Sequence, residues 1–224
     1  MKHAVARCEI AAIVRRAKAF IFDFDGTLVD SNPIKWRAFE TCFADFPEKL
    51  GEIMAYCRSN NHVPRDRKFR YVYEIILRLP YTAEAEARLQ ERFATAATQQ
   101  IIEAKEFPGA EQFLKKVRST HMRALLSSTP HETLLRIVRG RGWRDYFELI
   151  QGAPVEKSMW LRRLLEERQM EGEDVVFFGD TQEDANAAQT AQCLFVAVGK
   201  NRVSLDAIYS IEDFAELVGI ESSC

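Results

Sequence analysis

The stretch Phe20 to Asp30, reading Phe-Ile-Phe-Asp-Phe-Asp-Gly-Thr-Leu-Val-Asp, constrains this chain more than any other. From Ala19 to Phe24 the residues are apolar on both alternating faces except at Asp23, the pattern of a strand covered on both sides in a parallel sheet. Open α/β sheets place ligands at the carboxyl ends of such strands. Here that end carries two acids at i and i+2, Asp23 and Asp25, followed at once by Gly26 and Thr27. A plain strand entering an Asp-Gly turn shares this short signature. Desolvation separates the two readings, since paired carboxylates ending a buried strand are costly unless a cation or donors meet them.

The rest of the chain falls into two textures. Ile10 to Ala17 has helical spacing. From Ile34 to about Ala104 the sequence reads as amphipathic helices without a strand, over Ile34–Phe46, Glu48–Arg58, Asp66–Leu79 and Ala83–Glu103, with breaks at Pro47, at Asn60 to Pro64 and at Pro80. Beyond Pro108-Gly109, strands and helices alternate as in βαβ units. Strands are expected at Met122–Ser127, Phe147–Ile150, Asp174–Gly179, Cys193–Val198 and Ala207–Ile211. Helices are expected at Ala110–Thr120, Glu132–Gly140, Met159–Gln169 with Ser158 as its N-cap, Glu183–Ala191 and Glu212–Val218. The expected architecture is a doubly wound, Rossmann-like parallel sheet formed by residues 1–32 and 106–224, with an α-helical unit inserted over 33–105. A length of 224 residues suits one substantial core and a smaller accessory unit.

Three of the expected strands end in polar residues suited to one reaction. They deliver Asp23 and Asp25, then Ser127 and Ser128, then Asp180 with Asp184; Lys157 lies in the loop after the short strand at Phe147. In a parallel sheet these ends share one edge. Asp23 and Asp180 can hold Mg²⁺, a hard cation that takes oxygen ligands. With Lys157 it neutralises phosphoryl oxygens and leaves one carboxylate free to approach phosphorus.

These residues resemble the haloacid dehalogenase superfamily. Asp-Phe-Asp-Gly-Thr at 23–27 matches its first motif, Ala-Leu-Leu-Ser-Ser at 124–128 its second, Lys157 its third and Gly-Asp-Thr-Gln-Glu-Asp at 179–184 its fourth. A helical cap inserted after the first strand is among the family's layouts. The resemblance implies that Asp23 is a nucleophile forming an aspartyl-phosphate, and that Asp25 protonates the leaving oxygen and then activates water. It implies Mg²⁺ ligation by Asp23, Asp180 and the Asp25 carbonyl, with Thr27 and Asp184 supporting the metal site. Ser127, Ser128, Gly26 and Lys157 are implied to meet the phosphoryl group. Asp184 alone could equally be an acid favouring a helix amino terminus.

Asp25 argues for phosphoryl transfer, because the dehalogenases that named the group lack this second acid. The subgroup resembled is that of phosphoglycolate phosphatases and beta-phosphoglucomutases. The loop Asn61 to Lys68 resembles the cap loop by which the sugar-phosphate mutases hold a distal phosphate, making Arg65 and Lys68 candidates for substrate contact. A solvated basic helix face, shared by Arg58, Arg67 and Arg70, is the plainer reading of the same residues. Lys35 stands where those mutases carry a histidine, and His62 and Pro64 replace the loop's usual Gly and Ser, which favours a phosphatase. A receiver-type signalling domain with a phosphorylatable Asp is the alternative from another class, but its acids are spaced differently.

The net charge of −2 gives no global pull toward nucleic acid or an anionic membrane. Five scattered cysteines, at 8, 42, 57, 193 and 224, form no disulfide or zinc pattern. No export signal or membrane-spanning run is apparent. A cytoplasmic enzyme acting on a small phosphorylated molecule, as a monomer or homodimer, is the expectation.

Overall fold

The computed structural model describes residues 2–60, 63–199, 205 and 207–219. Helix α1 (Lys2–Arg16) leads into β1 (Ala19–Phe22). Then follow α2 (Asn32–Cys42), α3 (Leu50–Ser59), α4 (Arg65–Tyr71), a π-helical turn at Val72–Ile76, and α5 (Ala83–Glu103). The alternating half contains α6 (Ala110–Val117), β2 (Met122–Pro130), α7 (His131–Gly140), β3 (Leu149–Ala153), α8 (Lys157–Arg168), β4 (Val175–Gly179), α9 (Gln182–Thr190), β5 (Leu194–Val198), β6 (Tyr209–Ile211) and α10 (Ala215–Val218).

The six strands form one parallel sheet in the order β3-β2-β1-β4-β5-β6, so the doubly wound expectation holds. Strand β1 is central because its side chains are apolar on both faces. Phe20 and Phe22 pack with Phe113, Phe178 and Phe214 on one side, while Ala19 and Ile21 pack with Phe177, Leu161 and Ala188 on the other. The chain winds outward from β1 in both directions, so the crevice between β1 and β4 is the switch point where such sheets bind ligands. Asp23 N–H donates to the Phe178 carbonyl at 2.9 Å, carrying this pairing one residue past the strand.

Between β1 and α6 the described residues contain no strand. Helices α2 and α5 pack together, and Phe39, Phe43, Phe69 and Phe93 fill the space they enclose with edge-on ring contacts. The two segments joining these helices to the sheet are tied to each other. Asp30 N–H donates to the Lys105 carbonyl at 3.0 Å, Phe107 N–H donates to the Leu28 carbonyl at 3.0 Å, and Val29 bridges Glu106.

Several expected boundaries move. The first helix begins at Lys2, well before Ile10. The periodic run Asp66–Leu79 is α-helical only to Tyr71; Leu77 N–H then reaches back to the Val72 carbonyl at 2.8 Å, an i to i−5 bond that widens the turn. The short strand starts at Leu149 rather than Phe147, whose ring is buried beside a tight turn at Arg144–Tyr146. Ser158 is no N-cap: its hydroxyl donates to Glu156 Oε1, and the helix already begins at Lys157. Lys157 therefore stands in the first turn of α8, not in a loop. The terminal helix covers Ala215–Val218 alone. His62, in the loop compared with mutases, lies outside the described residues.

Candidate active site

The carboxyl ends of β1, β2 and β4 and the first turns of α8 and α9 converge at the switch point. Strand β1 delivers Asp23, and a turn with Gly26 at φ +88° redirects the chain beside β4. A Cβ on Gly26 would lie 2.2 Å from Asp180 Oδ2, so this approach of backbone to carboxylate needs glycine. Gly179 acts similarly, since a Cβ there would sit 2.5 Å from the Asp184 Cβ and push α9 off the strand end.

Carboxylate oxygens of Asp23, Asp180 and Asp184 lie within 4.8 Å of one another, and all three residues are buried. Lys157 Nζ joins two of them, donating to Asp23 Oδ1 at 2.8 Å and Asp184 Oδ1 at 2.6 Å. Asp184 also secures its own helix. Its other oxygen accepts from Thr181 N–H and Oγ, while the Thr181 hydroxyl accepts from Asp184 N–H at 3.3 Å, closing a capping box on α9. The reading of Asp184 as an acid at a helix amino terminus is thus realised. Thr27 donates to Asp180 Oδ1 and Asn32 to its Oδ2, both at 3.5 Å.

The electrostatics follow from this crowding. Burial, with repulsion from Asp184 and Asp25, pushes the Asp23 carboxyl up to about 7 although Lys157 opposes it. Burial together with Asp23 and Asp184 raises Asp180 well above the usual carboxylate range. Lys157 is buried, yet the charges of Asp184 and Asp23 outweigh desolvation and raise its pKa. Asp25 goes the other way. Burial favours its neutral form, but Lys35 Nζ at 2.7 Å, Ser31 Oγ at 2.6 Å and Thr129 Oγ1 at 2.7 Å outweigh burial and hold the carboxyl below its ordinary value.

Ser127 is buried at the site end of β2, its hydroxyl accepting from Thr129 N–H at 3.1 Å. Ser128 donates to Glu183 Oε2 at 3.3 Å. Asp23, Asp25, Ser127, Ser128, Lys157, Asn32, Thr181, Glu183 and Lys35 line one cavity of about 40 Å³. Arg65 and Lys68 do not border it. They lie in α4 around a neighbouring cavity, and Lys68 is only 3% exposed, so a solvated basic face describes Arg58, Arg67 and Arg70 but not these two.

The sequence reading missed Ser31, Asn32, Thr129 and Glu183 as site residues and treated Lys35 only as a departure from a mutase pattern. Ser31 and Asn32 looked like turn formers. Thr129 sits two residues beyond Ser127, on the same face of an extended strand, and that alternation was the available signal.

The model of the haloacid dehalogenase-like hydrolases matches residues 20–198, a span that takes in every motif assembled here. The chain belongs to that family. A phosphoglycolate phosphatase from Synechococcus elongatus is 27% identical to this hydrolase over 184 residues, 81% of this chain and 83% of its own. Among solved structures, CbbY from Rhodobacter sphaeroides in complex with phosphate superposes with a TM-score of 0.68 at 19% identity, covering 90% of this chain and 96% of its own. The HAD-hydrolase YfnB from Bacillus subtilis, bound to magnesium, gives a TM-score of 0.68 at 16% identity over 92% and 98% of the two chains. These two likenesses concern the fold.

Proposed function

We propose that this hydrolase is a Mg²⁺-dependent phosphomonoester hydrolase that acts on a small phosphorylated metabolite through an aspartyl-phosphate at Asp23. The observation that carries this reading is the buried cluster of Asp23, Asp180 and Asp184 with Lys157 between two of them. Three buried acids against one ammonium is a donor set lacking positive charge, and all-oxygen donors suit Mg²⁺. Asp23, Asp180 and the Asp25 carbonyl would hold the ion, with Thr27 and Asp184 supporting them; when bound, it withdraws charge from the phosphoryl oxygens. The Synechococcus relative's phosphatase name and the phosphate bound in the Rhodobacter structure agree with this chemistry.

In the first half-reaction an Asp23 oxygen forms a bond to phosphorus as the bond from phosphorus to the alcohol oxygen breaks, and that oxygen takes a proton from Asp25. Lys157 holds Asp23 in place and balances charge. Ser127, Ser128 and the backbone at Gly26 border the phosphoryl group. In the second half-reaction a water gives its proton to Asp25 and attacks phosphorus, releasing phosphate and restoring Asp23. Lys35, Ser31 and Thr129 hold the Asp25 carboxyl below its ordinary value, which favours the ionised state that takes the proton from water in this second step, and Lys35, 2.7 Å away, steadies that charge. Residues 33–105 act as a cap that shields the reaction from bulk water.

The test is hydrolysis of p-nitrophenyl phosphate by the purified protein, with free phosphate measured directly. Turnover with Mg²⁺ is expected, along with loss in excess EDTA and in Asp23→Asn. Full turnover in EDTA would sink the metal assignment. Phosphate moved to a second hydroxyl, with none released, would instead identify a mutase.

A further inference from the structure

The sheet ends on one side at β3 and on the other at β6, with no further strand beside either among the described residues. The two edges are built differently. Strand β6 has three residues, too short to template another chain. Strand β3 has five, Leu-Ile-Gln-Gly-Ala, and carries neither charge nor proline, which stand only at its flanks as Glu148 and Pro154. Monomeric proteins commonly guard such an edge with a lysine or a proline. Glu148 N–H donates to the Arg123 carbonyl at 2.9 Å, so by strand alternation Leu149 and Gln151 turn their N–H and C=O groups toward the open edge. Beside this edge, β3 and α8 border a groove of about 420 Å³ lined by Leu149, Ile150, Val155, Met159, Trp160 and Leu164. Val155 is 43% and Met159 66% exposed. The rim carries one charge of each sign, Arg163 Nε donating to Glu167 Oε1 at 2.6 Å one turn along α8. The groove shares no lining residue with the phosphoryl cavity.

We infer that this edge and groove form a self-association surface occupied by a second copy of the chain, the two β3 strands running antiparallel about a two-fold axis. About such an axis Leu149 exchanges both backbone bonds with Gln151 of the second copy, and the sheet continues from one copy into the next. Val155 and Met159 of each copy cover the groove of the other. Helix α8 meets its own copy in reverse, so Arg163 stands opposite Glu167 of the second copy and each charge finds its opposite. The rim selects this occupant. A patch with one cation and one anion complements itself, whereas an anionic membrane, a nucleic acid or an acidic peptide calls for positive charge in excess. The patch is smaller than the roughly 20 to 30 residues a side of a standard interface, so the association is weak, with Kd on the order of 10 µM.

Analytical ultracentrifugation of the full chain across about 1 to 100 µM tests this, with amide exchange read at both ends of the range. A monomer is expected at the low end and a dimer at the high end, with exchange over residues 149–153 slowed at least about fivefold in the dimer. Met159→Lys and Arg163→Glu are each expected to raise the dimer Kd at least about tenfold. Combining Arg163→Glu with Glu167→Arg should return it to within about threefold of wild type, because the reversed charges again face their opposites. All three side chains are exposed, and far-ultraviolet circular dichroism matching wild type confirms that the variants fold. A monomer at every concentration overturns the inference and leaves the groove to an occupant other than this chain. A dimer that leaves exchange over 149–153 unchanged, or that folded Met159→Lys does not weaken, overturns it too. A double variant no tighter than Arg163→Glu alone overturns the two-fold arrangement on which the inference stands.

Discussion

Asp23 and Asp25 are two residues apart, yet their surroundings drive them in opposite directions. Asp23 faces two other carboxylates, while Asp25 faces an ammonium and two hydroxyls. The two acids were legible as a pair because a buried strand rarely ends in charge. Their assignments were not, since Thr129 lies 104 residues from Asp25 and nothing local announces the contact. For Lys68 residue type suggests solvent, and only packing shows its burial. A pH prediction follows from the raised Asp23 and Asp180. Folding lifts Asp23 from 3.8 to about 7, so without metal the folded state holds protons that the unfolded state has released between those values. That contribution to stability is present below pH 3.8 and is lost as pH rises toward 7. Mg²⁺ must displace the same protons. The rise in Tm on adding Mg²⁺ is therefore expected to be larger at pH 8 than at pH 5, and a constant increment would show that the carboxylates do not take the ion. Asp25→Asn is expected to slow hydrolysis of an alkyl phosphate by roughly 10²- to 10⁴-fold, the usual range for a lost general acid or base. A nitrophenolate needs less protonation, so p-nitrophenyl phosphate should lose less in single-turnover measurements of the first half-reaction.

At the level of elements, β1 and β4 were readable from sequence because doubly covered strands are continuous apolar runs. Helix α8 was read as starting too late because Ser158 has the right chemistry for a cap while Glu156 supplies the extended backbone at that position. Moving the start from Met159 to Lys157 changes the role of the element. The ammonium is now carried by a helix packed on α9, whose first turn holds Asp184, and not by a loop. The join after α5 shows a second device that no local pattern reveals. Arg141, just past α7, donates through Nη1 to the carbonyls of Ile101 at 2.9 Å and of Ile102 and Ala104, both at 2.8 Å. Carbonyls at a helix end lack the usual i+4 partner, and of these three the Ile101 carbonyl also accepts from Ala104 N–H at 3.3 Å. Arg141→Met keeps much of the stem and removes the donors. It is expected to destabilise the last turn of α5 by about 1.5 to 3 kcal/mol, the usual worth of hydrogen bonds to a charged group. Amide exchange over residues 102–108 should accelerate accordingly. Unchanged exchange there would mean that water satisfies these carbonyls equally well.

For the whole molecule, the sequence suggested two units because helical periodicity gives way to strand and helix alternation near Pro108. The break is one of connectivity, and the apolar interior does not respect it. One continuous cluster runs from Phe20, Phe22 and Phe178 on the sheet through Leu28 and Val29 to Phe39, Phe43, Phe69 and Phe93 among the inserted helices. Helix α5 also packs directly on α7. Apolar burial is the main force for folding, so a shared interior couples the stabilities of its parts. Unfolding is therefore expected as one transition, with calorimetric and van't Hoff enthalpies equal. Phe43 tests the coupling, because it is fully buried among the inserted helices, against Phe69 and Tyr73, and borders neither cavity. Replacing such a ring by alanine costs about 3 to 5 kcal/mol. At about 2 to 4 °C per kcal/mol for a chain of this size, Phe43→Ala should lower Tm by roughly 6 to 20 °C. The decisive reading is how the sheet responds. Near-ultraviolet signals from Trp143 and Tyr146, which follow α7, should fall together with far-ultraviolet helicity if the interior is one unit. Loss of helicity at low temperature, with those signals retaining the wild-type midpoint, would show that the inserted helices melt alone.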